Sequence, residues 1–328
     1  MHRQCRQTAA PIVLGRDGTA GSIARALPPS PLRVHLALLT VSLLFGGNYV
    51  FSKGVLGAVP PRAWVELRLI AATALLVPLA LWLRKRRSLP GAKVLLGLLV
   101  AAFFGTALNQ ALYNEGLART TPEHSAVINA CIPTFTVIVA VLARQERLTW
   151  RLASAVAIAL LGVLYLTGVD RALFGGEGGG DAGGATLLGD LLSTGNALAF
   201  AIHLVMMRRL SQHVDPWTAT ALLFGFGLLL LLPWSLPELN GAAVEAVTTP
   251  PVVWMALNVV LGATVLTYVI NTWALRHTTS SQVALYINVQ PMVAACVHVG
   301  MGGPVPGMRF VVALALVAFA LWLQTRGR

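Results

Sequence analysis

Within an apolar run that begins near Val34, the segment FGGNYVFSKG (45–54) carries Asn48, Ser52 and Lys53. Asn48 and Ser52 stand four apart, so on a helix they share a face. The spacing recurs downstream. Asn109 with Tyr113, and Gln110 with Asn114, form one polar flank, and Thr267, Tyr268, Asn271 and Thr272 repeat it. Asn129 lies just before Pro133, Tyr286 and Asn288 just before Pro291, and His203 sits in another apolar run. Amides, phenols and an imidazole in apolar surroundings need polar partners, either a bound solute or one another. A proline inside a helix adds a carbonyl with no amide to satisfy it. This is the chemistry of holding a small polar molecule.

Bond-making chemistry finds no comparable constellation. The seven histidines are scattered, with no HExxH, and neither CxxC nor GxSxG occurs. The Gly-rich GGEGGGDAGG (175–184) lacks the Gly-Lys-Ser/Thr ending that holds a nucleotide, and reads as a linker. No metal and no cofactor are expected.

The elements that carry these residues are membrane spans. The 328-residue chain is 56% hydrophobic and 11% charged, whereas soluble domains carry roughly 25% charged residues. Ten runs suffice to cross a bilayer, which takes ~20 mostly apolar residues: 34–57, 62–83, 92–117, 121–143, 150–169, 186–209, 216–235, 250–275, 279–300 and 306–324. The net charge of +12 lies between these runs and not in one patch, which argues for topology signals and against nucleic acid as a partner. Three cysteines are too few for a disulfide framework. Residues 1–33 hold five arginines and no apolar core of a secretory signal, and read as a disordered basic cytoplasmic tail.

With the N-terminus inside, eighteen of the lysines and arginines fall on the cytoplasmic side and four outside. Both termini are then cytoplasmic. The chain also repeats internally: shifted by 158, LNQALYNEGLARTTPEHSAVINACIP lies over LTYVINTWALRHTTSSQVALYINVQP, with Leu117, Thr120, Thr121, Ala126 and Pro133 on Leu275, Thr278, Thr279, Ala284 and Pro291. Five spans per copy put the second copy upside down relative to the first, a design common in secondary transporters. A shift of 155 puts Asn48 on His203, Lys53 on Arg208 and Pro61 on Pro216.

From 34 to 325, on GGNYVFSK and the prolines after it, ELRLIAATALL, ALYNEGLARTTPEHSAVINACIP with its second copy, and QERLTW, the chain resembles the EamA branch of the drug/metabolite transporter superfamily. Pro304 stands where the second copy of such proteins usually has a Glu after the ninth span. The resemblance implies an all-α polytopic bundle of ten transmembrane helices, as two inverted five-helix repeats at 34–170 and 186–325 joined by a linker at 171–185. It implies outward movement of small metabolites by alternating access. Small multidrug relatives exchange protons at a Glu of the first span, where this chain has Asn48, so that route of coupling is not expected; His203 can titrate near neutral pH.

The expected substrate contacts are Asn48, Asn109, Tyr113, Asn129, His203, Tyr268, Asn271, Tyr286 and Asn288, facing a central cavity. For Asn48 and for the prolines, helix packing is an equally open role. Pro133 and Pro291 are expected helix kinks, and Gly46-Gly47 a flex point. Lys53 is read as reaching the outer interface, and Arg68 as a structural pairing group. The expected partners are a small-molecule substrate such as an amino acid or related compound, and the lipid bilayer of the inner membrane. A monomer suffices, and a dimer is possible. The rival class is a membrane-embedded transferase, which would need an acidic or histidine cluster at one membrane face.

Overall fold

The computed structural model describes residues 30–83, 90–144, 149–167 and 186–325. The expected linker and nearly all of the expected tail lie outside the described residues. Every described element is helical. The long helices are α1 (Pro31–Leu56), α2 (Pro61–Leu83), α3 (Ala92–Arg119), α4 (Pro122–Leu142), α5 (Trp150–Thr167), α6 (Leu187–Leu210), α7 (Pro216–Glu238), α8 (Val252–Ala274), α9 (from Ser280 to Gly300) and α10 (Met308–Thr325). A short helix, Gly241–Thr248, lies between α7 and α8. Eight of these are long and apolar enough to cross a membrane, while α5 and α10 carry shorter apolar stretches, Ala153–Leu166 and Met308–Ala320.

The helix starts are written locally. Proline opens α1, α2, α4 and α7, where its missing N–H would have no intrahelical partner anyway. The hydroxyl of Thr121 accepts from His124 N ahead of α4, and that of Thr279 accepts from Gln282 N ahead of α9. These two caps occupy equivalent places in the repeat.

Packing obeys the repeat. Helix α1 lies on α8 and α9 as α6 lies on α3 and α4, α2 meets α8 as α7 meets α3, and α2–α7 and α5–α10 pair across the halves. Close approach is required at Gly46: a Cβ there would fall 2.5 Å from Val293 Cβ and 3.0 Å from the Gln290 carbonyl. Gly46 is thus a close packing contact between α1 and α9.

Both copies depart from α-helix at matched positions. Residues Phe103–Leu108 in α3 and Asn258–Leu266 in α8 form π-helix, and a shift of 158 lays the first on the end of the second. An extra residue in a turn re-aims the side chains beyond it, and such stretches are frequent at functional sites. Here the side chains beyond are Asn109 and Gln110 in one copy, and Thr267 and Tyr268 in the other. Helices α4 and α9 are broken, by a turn at Ala130–Cys131 and by a 3₁₀ segment at Tyr286–Val289. Pro133 and Pro291 sit in the first turn of the restarted helices, where a proline costs no hydrogen bond.

Lys53 does not reach away from the protein. Its Nζ donates to the carbonyls of Leu117 (2.7 Å), Ala118 (3.1 Å) and Thr120 (2.7 Å) at the end of α3. This corrects the expectation that it serves the outer interface. Those carbonyls have no amide left to pair with, so a cation is better placed on them than in water.

Candidate functional site

Between the two copies lies a cavity of about 50 Å³. Its polar wall is built from helices α1, α2, α3, α4, α6, α8 and α9. Asn48 and Tyr113 meet there: Asn48 Nδ2 donates to Tyr113 Oη at 2.7 Å, and Ser52 Oγ donates to Asn48 Oδ1 at 3.0 Å. The i,i+4 spacing read from the sequence thus orients the amide. A second line of amides crosses from α3 through α6 to α4. Asn109 Nδ2 donates to Asn196 Oδ1, Asn196 Nδ2 donates to Asn129 Oδ1 at 2.8 Å, and Asn129 Nδ2 donates to the Ser125 carbonyl at 2.8 Å. Linked amides of this kind hold one another in place while leaving lone pairs and edges to a solute.

Opposite them stands Arg68, 2% exposed. Its Nε donates to Thr264 Oγ1 at 2.6 Å and its Nη1 to Gln110 Oε1 at 3.1 Å. Gln110 Nε2 in turn donates to Tyr268 Oη at 3.3 Å, and Tyr268 Oη donates to the Gly105 carbonyl, inside the π stretch, at 3.1 Å. Tyr49 Oη donates to Gln290 Oε1 at 3.2 Å. Phe45, Phe200 and the Tyr49, Tyr113 and Tyr268 rings supply the apolar part of the wall. Tyr268 is gripped edge-on by Phe224, their centroids 4.9 Å apart.

Asn48, Asn109, Tyr113, Asn129 and Tyr268 therefore come together on one cavity. Asn271 and Tyr286 line a smaller neighbouring pocket that shares Phe45, Phe200 and Gln290 with it. Asn288 lines neither. His203 lies behind the wall: it stacks on Phe200, and its Nδ1 is 3.0 Å from the Ala101 carbonyl. It presses so near α3 that a Cβ on Gly105 would come within 1.9 Å of its ring. The shift that matched His203 to Asn48 gave its depth, and its direction depends on the rotation of α6, which instead turns Asn196 inward.

Arg68, Gln110, Asn196 and Gln290 complete the site. Asn196 and Gln290 carried the same signal as the other residues, an amide within an apolar run. Arg68 was visible as a span arginine, but its orientation is set by Gln110 and Thr264, far away in sequence. Among the described residues no group of three His, Cys, Asp or Glu is arranged to hold a metal ion.

Comparison with known proteins agrees with this architecture. The EamA-like transporter family matches twice, at residues 32–168 and 187–326. An uncharacterized transporter of Archaeoglobus fulgidus is 26% identical over 80% of this chain and 87% of its own length. The uncharacterized transporter YyaM of Bacillus subtilis is 22% identical over 87% of this chain and 92% of its own. The protein WALLS ARE THIN 1 of Arabidopsis thaliana is 30% identical, over 36% of this chain and 31% of that protein. One crystal structure aligns with a TM-score of 0.58 at 19% identity, covering 90% of this chain and 96% of that one, a likeness of fold.

Proposed function

The chain belongs to the EamA-like transporter family, and from that premise we propose that it is an alternating-access secondary transporter exporting small metabolites, amino acids or related compounds first. It is a multi-pass membrane protein of transporter type. In the proposed arrangement ten helices cross the inner membrane as two inverted copies, at 34–170 and 186–325, with both termini in the cytoplasm and the linker at 171–185 between them. One copy rocks against the other around the cavity.

The observation that carries this reading is the cavity itself. It is buried at the contact between the copies and is lined by amides and phenols, although the surrounding helices are otherwise apolar. A polar cavity inside a membrane bundle is costly and fits a site for a solute in transit.

The test is flux in liposomes. Purified protein is reconstituted, and efflux of a mixed pool of labelled amino acids and related metabolites is measured with and without a proton gradient, for wild type, Asn48→Ala and Asn129→Ala. Loss of flux in folded Asn48→Ala supports the cavity as the route. Flux unchanged by Asn48→Ala and by Asn129→Ala would remove the cavity from the pathway.

A further inference from the structure

The cavity wall contains one formal charge. Arg68 is its single ionisable residue apart from tyrosines, and no Asp or Glu lines it. Among the described residues no carboxylate lies within ion-pair reach of Arg68. The buried acids nearby are committed elsewhere. Glu66 Oε2 accepts from Ser235 Oγ at 2.8 Å, Asp190 is held by Thr120 and His124, and Glu123 by His298.

A guanidinium has five N–H donors in a rigid fork. Arg68 gives one to Thr264 and one to Gln110, both neutral, and its Nη2 donates to no protein atom among the described residues. Nη2 and the second N–H of Nη1 are thus left for something else, donors of the kind that grip a carboxylate. A cation shut away from water among neutral groups is in a costly state, and an incoming anion relieves it. An ammonium group would find no counter-charge here, since no carboxylate lines the cavity. The rings of Phe45, Tyr113, Phe200 and Tyr268 favour an apolar or aromatic remainder.

We infer that Arg68 is the anion-binding residue of this cavity, and that the solute it takes is a small carboxylate with an apolar tail and no compensating positive charge. The inference rests on the transport reading and sharpens it: among relatives of amino acids, the deaminated acids fit better than the zwitterions.

The test uses the full-length protein in detergent and reads its melting temperature with benzoate, phenylacetate, indoleacetate and pyruvate, alongside phenylacetamide and phenethylamine as shape-matched neutral and cationic probes. Phenylacetate is expected to stabilise the protein, and its amide and amine are not. In Arg68→Gln the apparent affinity for phenylacetate should fall by about tenfold or more, the loss of a charge-assisted pair, with Arg68→Lys retaining part of it. The matched probes decide on wild type alone, so the outcome does not depend on the variants folding. The inference is overturned if none of the four carboxylates stabilises the protein, if the amide or the amine does so equally, or if Arg68→Gln binds phenylacetate as wild type does. Carboxylate binding without flux in liposomes would overturn transport and leave the role of Arg68 standing. Flux of a neutral or cationic solute with carboxylates inert would do the reverse.

Discussion

Lys53 and Arg208 hold equivalent posts in the two halves. Lys53 donates to the Leu117 carbonyl at 2.7 Å, and Arg208 Nη1 donates to the Leu275 carbonyl at 3.1 Å. The cations are matched by a shift of 155, and their acceptors by a shift of 158. Each closes the C-terminal end of a π-containing helix, where orphan carbonyls and the negative end of the dipole favour positive charge. The two posts lie in opposite halves of the repeat, and a one-to-one internal symmetry of contacts therefore reaches beyond the helix pairs to single hydrogen bonds.

The posts are unequal in strength. Lys53 satisfies three carbonyls, whereas Arg208 satisfies that of Leu275. Lys53→Met should cost about 2–3 kcal/mol and Arg208→Met about 1 kcal/mol, read as thermal unfolding in detergent. The reverse order would show that the two cations are not doing the same thing.

Asn48 and Tyr113 form one unit of the cavity wall. Asn48→Ala and Tyr113→Phe are each expected to lower flux several-fold, and the double variant to lower it little further. Their coupling in a double-mutant cycle should be about 0.5–1.5 kcal/mol. Additive losses would mean that the 2.7 Å bond between them contributes nothing to transport.

Gly105 leaves room for His203. Gly105→Ala brings a Cβ onto the imidazole and should destabilise the protein by about 1–3 kcal/mol, the usual cost of overpacking. His203→Ala in the same chain removes the ring and is expected to recover most of the loss. A variant as destabilised with His203→Ala as without it would place the strain elsewhere.

At the end of the bundle near Lys53, Glu123 of α4 contacts His298 of α9, and Asp190 of α6 contacts His124 of α4 at 3.2 Å and Thr120. Glu123→Gln and His298→Gln should be strongly non-additive, with a coupling of about 1 kcal/mol or more for a largely buried pair, measured by unfolding. Additivity within error would show that the contact ties nothing together.

Much of this fold is legible in the sequence. Apolar runs bounded by proline locate the helices to within a few residues, because span length and the N1 preference for proline are both local facts. The repeat locates the symmetric breaks before Pro133 and Pro291. The π stretches are not legible: an extra residue in a turn leaves composition and hydropathy unchanged. The cavity is half legible for a related reason. Spacing tells which polar residues share a face, as it does for Asn48 with Ser52, but the facing direction of α6 comes from its packing on α3 and α4. That rotation brings Asn196 forward and sends His203 back. Lys53 shows the same limit, since a flexible lysine near a helix end can serve water or carbonyls, and only the neighbouring α3 end decides.

The paired π stretches also bear on the symmetry of the cavity. Phe103–Leu108 and the end of Asn258–Leu266 are superposed by the shift that superposes the two Thr-Thr turns. A π turn is an α-helix with one residue inserted. The widened turn therefore stands at one place in both copies. Each copy thus brings the same widened turn to its own side of the shared cavity, just ahead of Asn109 and Gln110 in one and of Tyr268 in the other.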